Sequence, residues 1–309
     1  MNSGMEGVVS QRSIAFFALA LVMLFSIMSS SAVYAATAPS APTSVSATAA
    51  SSTSVNVSWT APSNNGGSKI TDYIIQYSSD NGANWTTFTD GISTRTSTTV
   101  TGLAKGTSYV FHVAAVNSIG TGLYSSQSNS ATTWKEPDAP TSVVAVVASS
   151  TSVNVSWTAP SNNGGSKITD YNIQYSENGG SFVPYSDGVS TKTSTTVTGL
   201  TPGRDYVFKV AAVNSVGTGA YTQSNSVTTW KVPDAPTSVV AVVASSTSVD
   251  LSWTAPSPNG SPITDYTIQY SSNSGSSWTT FRDGTSVTPS TTVTGLTPGR
   301  DYVFKVAAV

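Results

Sequence analysis

The sequence predicts an all-β protein made of three tandem antiparallel sandwiches, and three observations carry that reading. Apolar and polar residues alternate along short runs. Val153, Val155 and Trp157 alternate with Asn154 and Ser156, and Tyr171, Ile173 and Tyr175 alternate with Asn172 and Gln174. A period of two sends one set of side chains to a buried sheet face and the other to water; a parallel sheet would read as unbroken apolar runs. The chain also repeats. SSTSVNVSWTAPSNNGGSKITDY stands at residues 51–73 and again at 149–171, with the variant SSTSVDLSWTAPSPNGSPITDY at 245–266. Trp59, Trp157 and Trp253 lie 98 and 96 residues apart, and Tyr109, Tyr206 and Tyr302 lie 97 and 96 apart, so each repeat is a whole domain rather than a solenoid turn. Gly, Pro, Asn and Asp clusters punctuate the runs, and no segment after residue 36 has helical periodicity.

The first element reads as an export signal, residues 1–35. Arg12 is the only basic side chain before an apolar run of 15 residues, 14–28, broken only by Ser26. At 1.5 Å per residue that run is about 22 Å long, short of a bilayer core of roughly 30 Å. Small residues follow, and Val33 and Ala35 fit the −3 and −1 positions of a signal peptidase site, which predicts cleavage after Ala35. The alternative is an uncleaved N-terminal anchor. N-terminal sequencing of the exported product is expected to begin at Ala36; a start at Met1 refutes cleavage. Cleavage would remove all four Met from a chain that has no Cys, leaving no sulfur to oxidise outside the cell.

Three copies follow, at residues 38–134, 135–230 and 231–309. Each carries a Trp on its second strand (Trp59, Trp157, Trp253) and a Leu-x5-Tyr spacing (Leu103 to Tyr109, Leu200 to Tyr206, Leu296 to Tyr302). Tyr-x-Phe-x-Val-x-Ala-x-Asn follows at 109–117 and 206–214. These residues resemble the fibronectin type III family. The resemblance implies seven strands in two sheets per copy, an immunoglobulin-like sandwich. An immunoglobulin domain itself would place its Trp on the third strand beside a Cys pair. Trp59, Trp157, Trp253, Tyr109, Tyr206 and Tyr302 are therefore expected in the core. Each tyrosine starts its sixth strand, where its hydroxyl can bond backbone across the corner.

The joints, residues 134–140 and 230–236, each hold two prolines in four residues, which stiffens them and disfavours helix. Trp134 and Trp230 are expected to cover apolar surface there. The third copy reaches Val309, level with Val116 and Val213, so its last strand is expected to be missing and the reading frame to continue.

Composition limits the chemistry. Lys and Arg number 13 against 15 Asp and Glu, a net charge of −2, so no basic surface attracts nucleic acid. Without Cys, thiol catalysis, disulfides and thiolate metal centres are excluded, and one His cannot build a multi-histidine site. No catalytic residue, metal ligand or cofactor site is expected. By alternation His112 points away from Tyr109, Phe111 and Val113, as an exposed residue without the oriented partners a base needs. Asn65-Gly66-Gly67 and Asn163-Gly164-Gly165 lack the Lys-Ser/Thr ending of a phosphate loop. Asp90-Gly91, Asp187-Gly188 and Asp283-Gly284 read as turns.

The candidate ligand contacts are Trp85, Phe182 and Trp278, which share one position and could stack on sugars; the competing reading is packing at the sheet edge. The family resemblance points to an Arg-Gly-Asp loop after the sixth strand, but residues 117–122 and 214–219 read Asn-Ser-Ile/Val-Gly-Thr-Gly, so integrin-type adhesion is not expected. The expected function is a secreted or cell-surface spacer or adhesion module without catalysis. Other proteins or polysaccharide are its expected partners, and contact with the membrane comes only through the signal if uncleaved. The alternative is the accessory region of a secreted polysaccharide-degrading enzyme.

Overall fold

The computed structural model describes residues 35–309; the segment read as an export signal, residues 1–35, lies outside the described residues except for Ala35. The first copy has strands β1 (Thr43–Ala49), β2 (Val55–Thr60), β3 (Asp72–Ser78), β4 (Thr86–Phe88), β5 (Ser97–Val100), β6 (Ser108–Val116) and β7 (Ala131–Thr132). The second has β8 (Thr141–Val147), β9 (Ser152–Thr158), β10 (Ile168–Glu177), β11 (Val183–Tyr185), β12 (Ser194–Thr198), β13 (Asp205–Asn214), β14 (Thr222–Gln223) and β15 (Val227–Thr228). The third has β16 (Thr237–Ser245), β17 (Ser248–Thr254), β18 (Tyr266–Ser271), β19 (Thr279–Phe281), β20 (Ser290–Val293) and β21 (Val303–Ala308).

Each copy forms two antiparallel sheets. The three-stranded sheet runs β1-β2-β5, β8-β9-β12 or β16-β17-β20. The other sheet runs β4-β3-β6-β7 in the first copy, β11-β10-β13-β14 in the second, with β15 also on β13, and β19-β18-β21 in the third. Register repeats between copies: Ile75 faces Val113, Ile173 faces Val210 and Ile268 faces Val306.

The alternation read from sequence is the burial pattern. On β2, Val55, Val57 and Trp59 are buried while Asn56, Ser58 and Thr60 are exposed. The ring of each second-strand Trp meets a tyrosine of the facing sheet edge-on, with centroids 5.2 Å apart for Trp59–Tyr73, 5.1 Å for Trp157–Tyr171 and 5.0 Å for Trp253–Tyr266. This is the arrangement aromatic quadrupoles prefer. All three indole N–H groups are buried without a hydrogen bond. In two copies the neighbouring tyrosine hydroxyl lies near enough for the indole to lower its pKa slightly, against a larger rise from burial, but no well-formed bond results. The indoles therefore hold the core by packing.

The corner bond forms at the sixth strand: Thr201 N–H donates to the Tyr206 hydroxyl and Thr297 N–H to the Tyr302 hydroxyl, each at 2.9 Å. Tyr302, however, is half-buried rather than a core residue, which corrects the sequence expectation. Tyr206, by contrast, is fully buried, and β15 covers it through pairing with β13. No counterpart of β7, β14 or β15 pairs with β21 among the described residues. Phe304 and Val306 are only half-buried and β16 is exposed along its whole length for the same reason.

In the first two copies an asparagine staples the first strand to the last segment. The Asn129 side chain accepts from Ala47 N–H at 3.0 Å and donates to the Ala47 carbonyl at 2.8 Å. Asn225 does the same with Ala145, at 2.9 and 3.0 Å.

Candidate functional site

The expected ligand rings lie on the outer face of the second sheet, and all three are half-buried. Trp85 immediately precedes β4 and stacks on His112 of β6, with centroids 3.6 Å apart and planes 7° from parallel. Tyr124 stacks on His112 as well, at 4.1 Å. In the second copy Lys209 takes the histidine's place, and its ammonium sits 3.8 Å from the centroid of Phe182. In the third, Lys305 sits 4.3 Å from Trp278. Each ring thus has part of its surface occupied by a side chain of the sixth strand, two strands along the same sheet. In copies two and three the pairing is cation–π.

His112 departs from its sequence reading. Alternation correctly sends it away from the core, but it is enclosed rather than freely solvated. Its Nε2 lies 2.7 Å from Gln76 Oε1, and Gln76 Nε2 donates to Thr87 Oγ1 at 3.0 Å. The amide orientation makes His112 Nε2 the donor. Burial pulls its pKa down to about 4, although the two ring faces favour the cation and work against that shift. The burial that encloses His112 also raises the Tyr124 pKa.

The sign for stability follows. The unfolded chain takes up a proton near pH 6.5 that the folded copy refuses until about pH 4. Stability is full above 6.5 and falls as pH drops through that window. The full shift would convert to roughly 3 kcal/mol; because the ring is half open to water, about 1 kcal/mol is expected. His112→Lys, the residue of the other copies, is expected to abolish the loss. Urea midpoints of the first copy at pH 7 and pH 4.5 check this.

The loops after β6 and β13 hold a feature that sequence reasoning missed. Asn117 and Asn214 are buried polar residues, each 4% exposed. Asn214 Nδ2 donates to the carbonyls of Lys135 and Asn163, both at 2.8 Å, and its Oδ1 accepts from Val216 N–H at 2.8 Å and Gly217 N–H at 3.2 Å. Asn117 makes the same four bonds to Thr37, Asn65, Ile119 and Gly120. The Asn at the end of the Tyr-x-Phe-x-Val-x-Ala-x-Asn run was the available signal. The loop that could have displayed an adhesion motif is thus pinned from inside by its first residue.

The neighbouring Asn-Gly-Gly loops are turns. Asn64 and Asn65 accept from Gly66 and Gly67 N–H, and Gly66 has φ +71° with Thr37 backbone where a Cβ would be. Trp134 is half-buried and lies against Gly165, where a Cβ would come within 2.7 Å of its ring; Trp230 lies likewise against Gly260. The three Asp-Gly pairs are left-handed at glycine, with φ of 81°, 83° and 84°, as turns require.

Asp80 accepts bonds from Ser78 Oγ and from the Asn84 side chain and backbone, which lower its pKa to about 2. It closes the β3–β4 hairpin. Among the described residues no three His, Asp or Glu side chains come together as a metal site would need. No helix there is long and apolar enough to cross a membrane.

A further surface feature is a cleft of about 670 Å³ in the first copy that runs from Ser46 and Thr48 of β1 across Asn56 and Ser58 of β2 to Ser97 and Thr99 of β5, with Asp90, Ser93 and Arg95 of the preceding loop.

The chain is 32% identical over 281 residues to the striated-muscle M-protein of Gallus gallus, covering 88% of this chain and 19% of that protein. It is 34% identical over 294 residues to receptor-type tyrosine-protein phosphatase F of Mus musculus, covering 87% and 15%. It is 30% identical over 287 residues to exoglucanase B of Cellulomonas fimi, covering 88% and 24%. The chain thus spans less than a quarter of each of these relatives. The fibronectin type III domain matches residues 40–131, 138–230 and 234–309. With that match and the paired sheets, second-strand tryptophans and corner tyrosines, the chain belongs to the fibronectin type III family.

Proposed function

We propose that the chain is an exported, non-catalytic spacer and interaction array acting outside the cell or at its surface. One observation carries the reading: the same fold unit forms a minor segment of a muscle protein, a receptor phosphatase and an exoglucanase. No single activity is common to those three, so the shared segment is best read as one that spaces or joins parts. The near-identity of the copies supports spacing, because modules reading different ligands would differ more in their loops. The apolar run of residues 14–28 and the small residues before Ala36 support export.

The test uses the purified chain against cellulose, xylan and chitin, together with the N-terminal sequence of the exported product. No hydrolysis and a start at Ala36 are expected. Hydrolysis by this chain alone overturns the reading.

A second reading is favoured by the likeness to exoglucanase B: the array could be the accessory region of a polysaccharide-degrading enzyme. Retention on insoluble cellulose or xylan, lost when Trp85, Phe182 and Trp278 are all changed to Ala, would favour it. Tyr124, beside His112 in the first copy, belongs to the same surface.

A further inference from the structure

The three copies treat the edge strand of the three-stranded sheet differently. In the second copy, Trp157 N–H donates to the Thr193 carbonyl at 3.0 Å, and Thr195 and Val197 face Val155 and Val153 of β9. By strand alternation the peptide groups of Thr196 and Thr198 then point outward. Tyr185, on β11 of the opposite sheet, caps them. Its hydroxyl donates to the Thr196 carbonyl at 3.2 Å and accepts from Thr198 N–H at 3.3 Å. The phenol bridges the two sheets and occupies the edge.

The first copy has Phe88 at that position and the third has Phe281, and neither has a hydroxyl. In the first copy Trp59 N–H donates to the Thr96 carbonyl at 3.0 Å, so the same alternation turns the peptide groups of Ser97, Thr99 and Thr101 outward; Thr99 and Thr101 are the counterparts of Thr196 and Thr198. The cleft of about 670 Å³ reaches Ser97 and Thr99. In the loop along it, Ile92 is 87% exposed.

We propose that the β5 edge of the first copy pairs antiparallel with β5 of a second copy of the chain, about a two-fold axis. The Tyr185 hydroxyl indicates what this edge binds, because it supplies one donor and one acceptor, as a peptide unit of an adjacent strand does. The occupant is neutral. β5 reads Ser-Thr-Thr-Val, the cleft lining holds one carboxylate and one guanidinium, and only 9% of the chain is charged. None of the usual guards stands on this edge: β5 has no Lys, no Pro and no inward charge.

Two identical strands related by a two-fold axis can satisfy each other's N–H and C=O pairs. Such pairing would double the β1-β2-β5 sheet. β20 repeats Ser-Thr-Thr-Val beside Phe281, which gives each chain a second edge of the same kind. A pair of four-residue strands covers far less than the roughly 1,200 Å² of a stable dimer, so each contact is transient. The pairing applies equally to a spacer array and to an enzyme's accessory region.

The test is amide chemical shift against protein concentration, read on the whole chain from dilute to millimolar solution. The Thr99 and Thr101 amides are expected to shift as concentration rises, and that of Thr198, held by the phenol, to stay fixed. Phe88→Tyr installs the cap over the Thr99 carbonyl and Thr101 N–H and is expected to abolish the shifts at Thr99 and Thr101. Tyr185→Phe removes it and is expected to create concentration dependence at Thr198. Both variants are conservative, so a folded spectrum accompanies each result. Fixed Thr99 and Thr101 amides up to millimolar concentration overturn the proposal. So do shifts that persist unchanged in Phe88→Tyr, which would place self-association on another surface.

Discussion

Trp157→Ala is expected to destabilise the second copy by about 3–5 kcal/mol, the cost of removing a large aromatic ring from a close-packed core. A single domain has about 5–15 kcal/mol of stability in total, so the loss takes up much of it. The ring is 6% exposed and meets Tyr171 edge-on. Its N–H makes no hydrogen bond, so the cost is one of packing and cavity formation. Trp157→Phe, which keeps an aromatic ring and leaves no polar group unpaired, is expected to cost clearly less. Amide exchange at Ile173 and Val210, which face each other on β10 and β13, reports on this copy alone and avoids the fluorescence lost with the indole. An unchanged urea midpoint for those amides in Trp157→Ala would show that the ring is not an interior support.

Asn214→Ala is expected to cost the second copy about 2–4 kcal/mol. The side chain is buried and makes four hydrogen bonds to backbone groups of three separate segments. Leaving a buried polar group unpaired costs about 1–3 kcal/mol, and water can recover part of it at the loop surface. Asn214→Asp separates this clamp from simple bulk. It keeps the acceptor for Val216 and Gly217 but turns an oxygen toward the carbonyls of Lys135 and Asn163. Asp is therefore expected to be no better than Ala, although it has nearly the size of Asn. An Asp variant of wild-type stability would mean that the two carbonyls do not depend on the amide. Asn117→Ala in the first copy, which has the same four bonds, should reproduce the effect there.

The strands were legible because each buries one face. Val153, Val155 and Trp157 alternate with Asn154 and Ser156 in the sequence and in the burial of β9. The Asp-Gly turns were legible because only glycine adopts φ near +80° without strain. The candidate rings were legible as sharing one position before the fourth strand, but what lies against them was not foreseen. Trp85 and His112 are 27 residues apart in sequence and stack only because β6 runs beside β3, which pairs in turn with β4. His112 was read as solvated because alternation reports which face a side chain is on and not what the neighbouring strand lays over it.

Tyr302 was assigned to the core on motif position, yet its burial depends on a strand pairing that β21 lacks among the described residues. The Asn129 and Asn225 staples were equally hidden, since each binds a residue about 80 positions away.

By itself the sequence determined the repeating unit, the strand faces, the turns and the family, because these are written in local periodicity and in side chains whose conformational preferences act over a few residues. Tertiary structure alone decided which groups meet across strands: the imidazole between two rings, the asparagine clamping three segments, and the phenol that guards one sheet edge while phenylalanine leaves another open. Hydrogen bonds and ring contacts act over only a few ångströms, so residues distant in sequence can make them only after the sheets have brought them together.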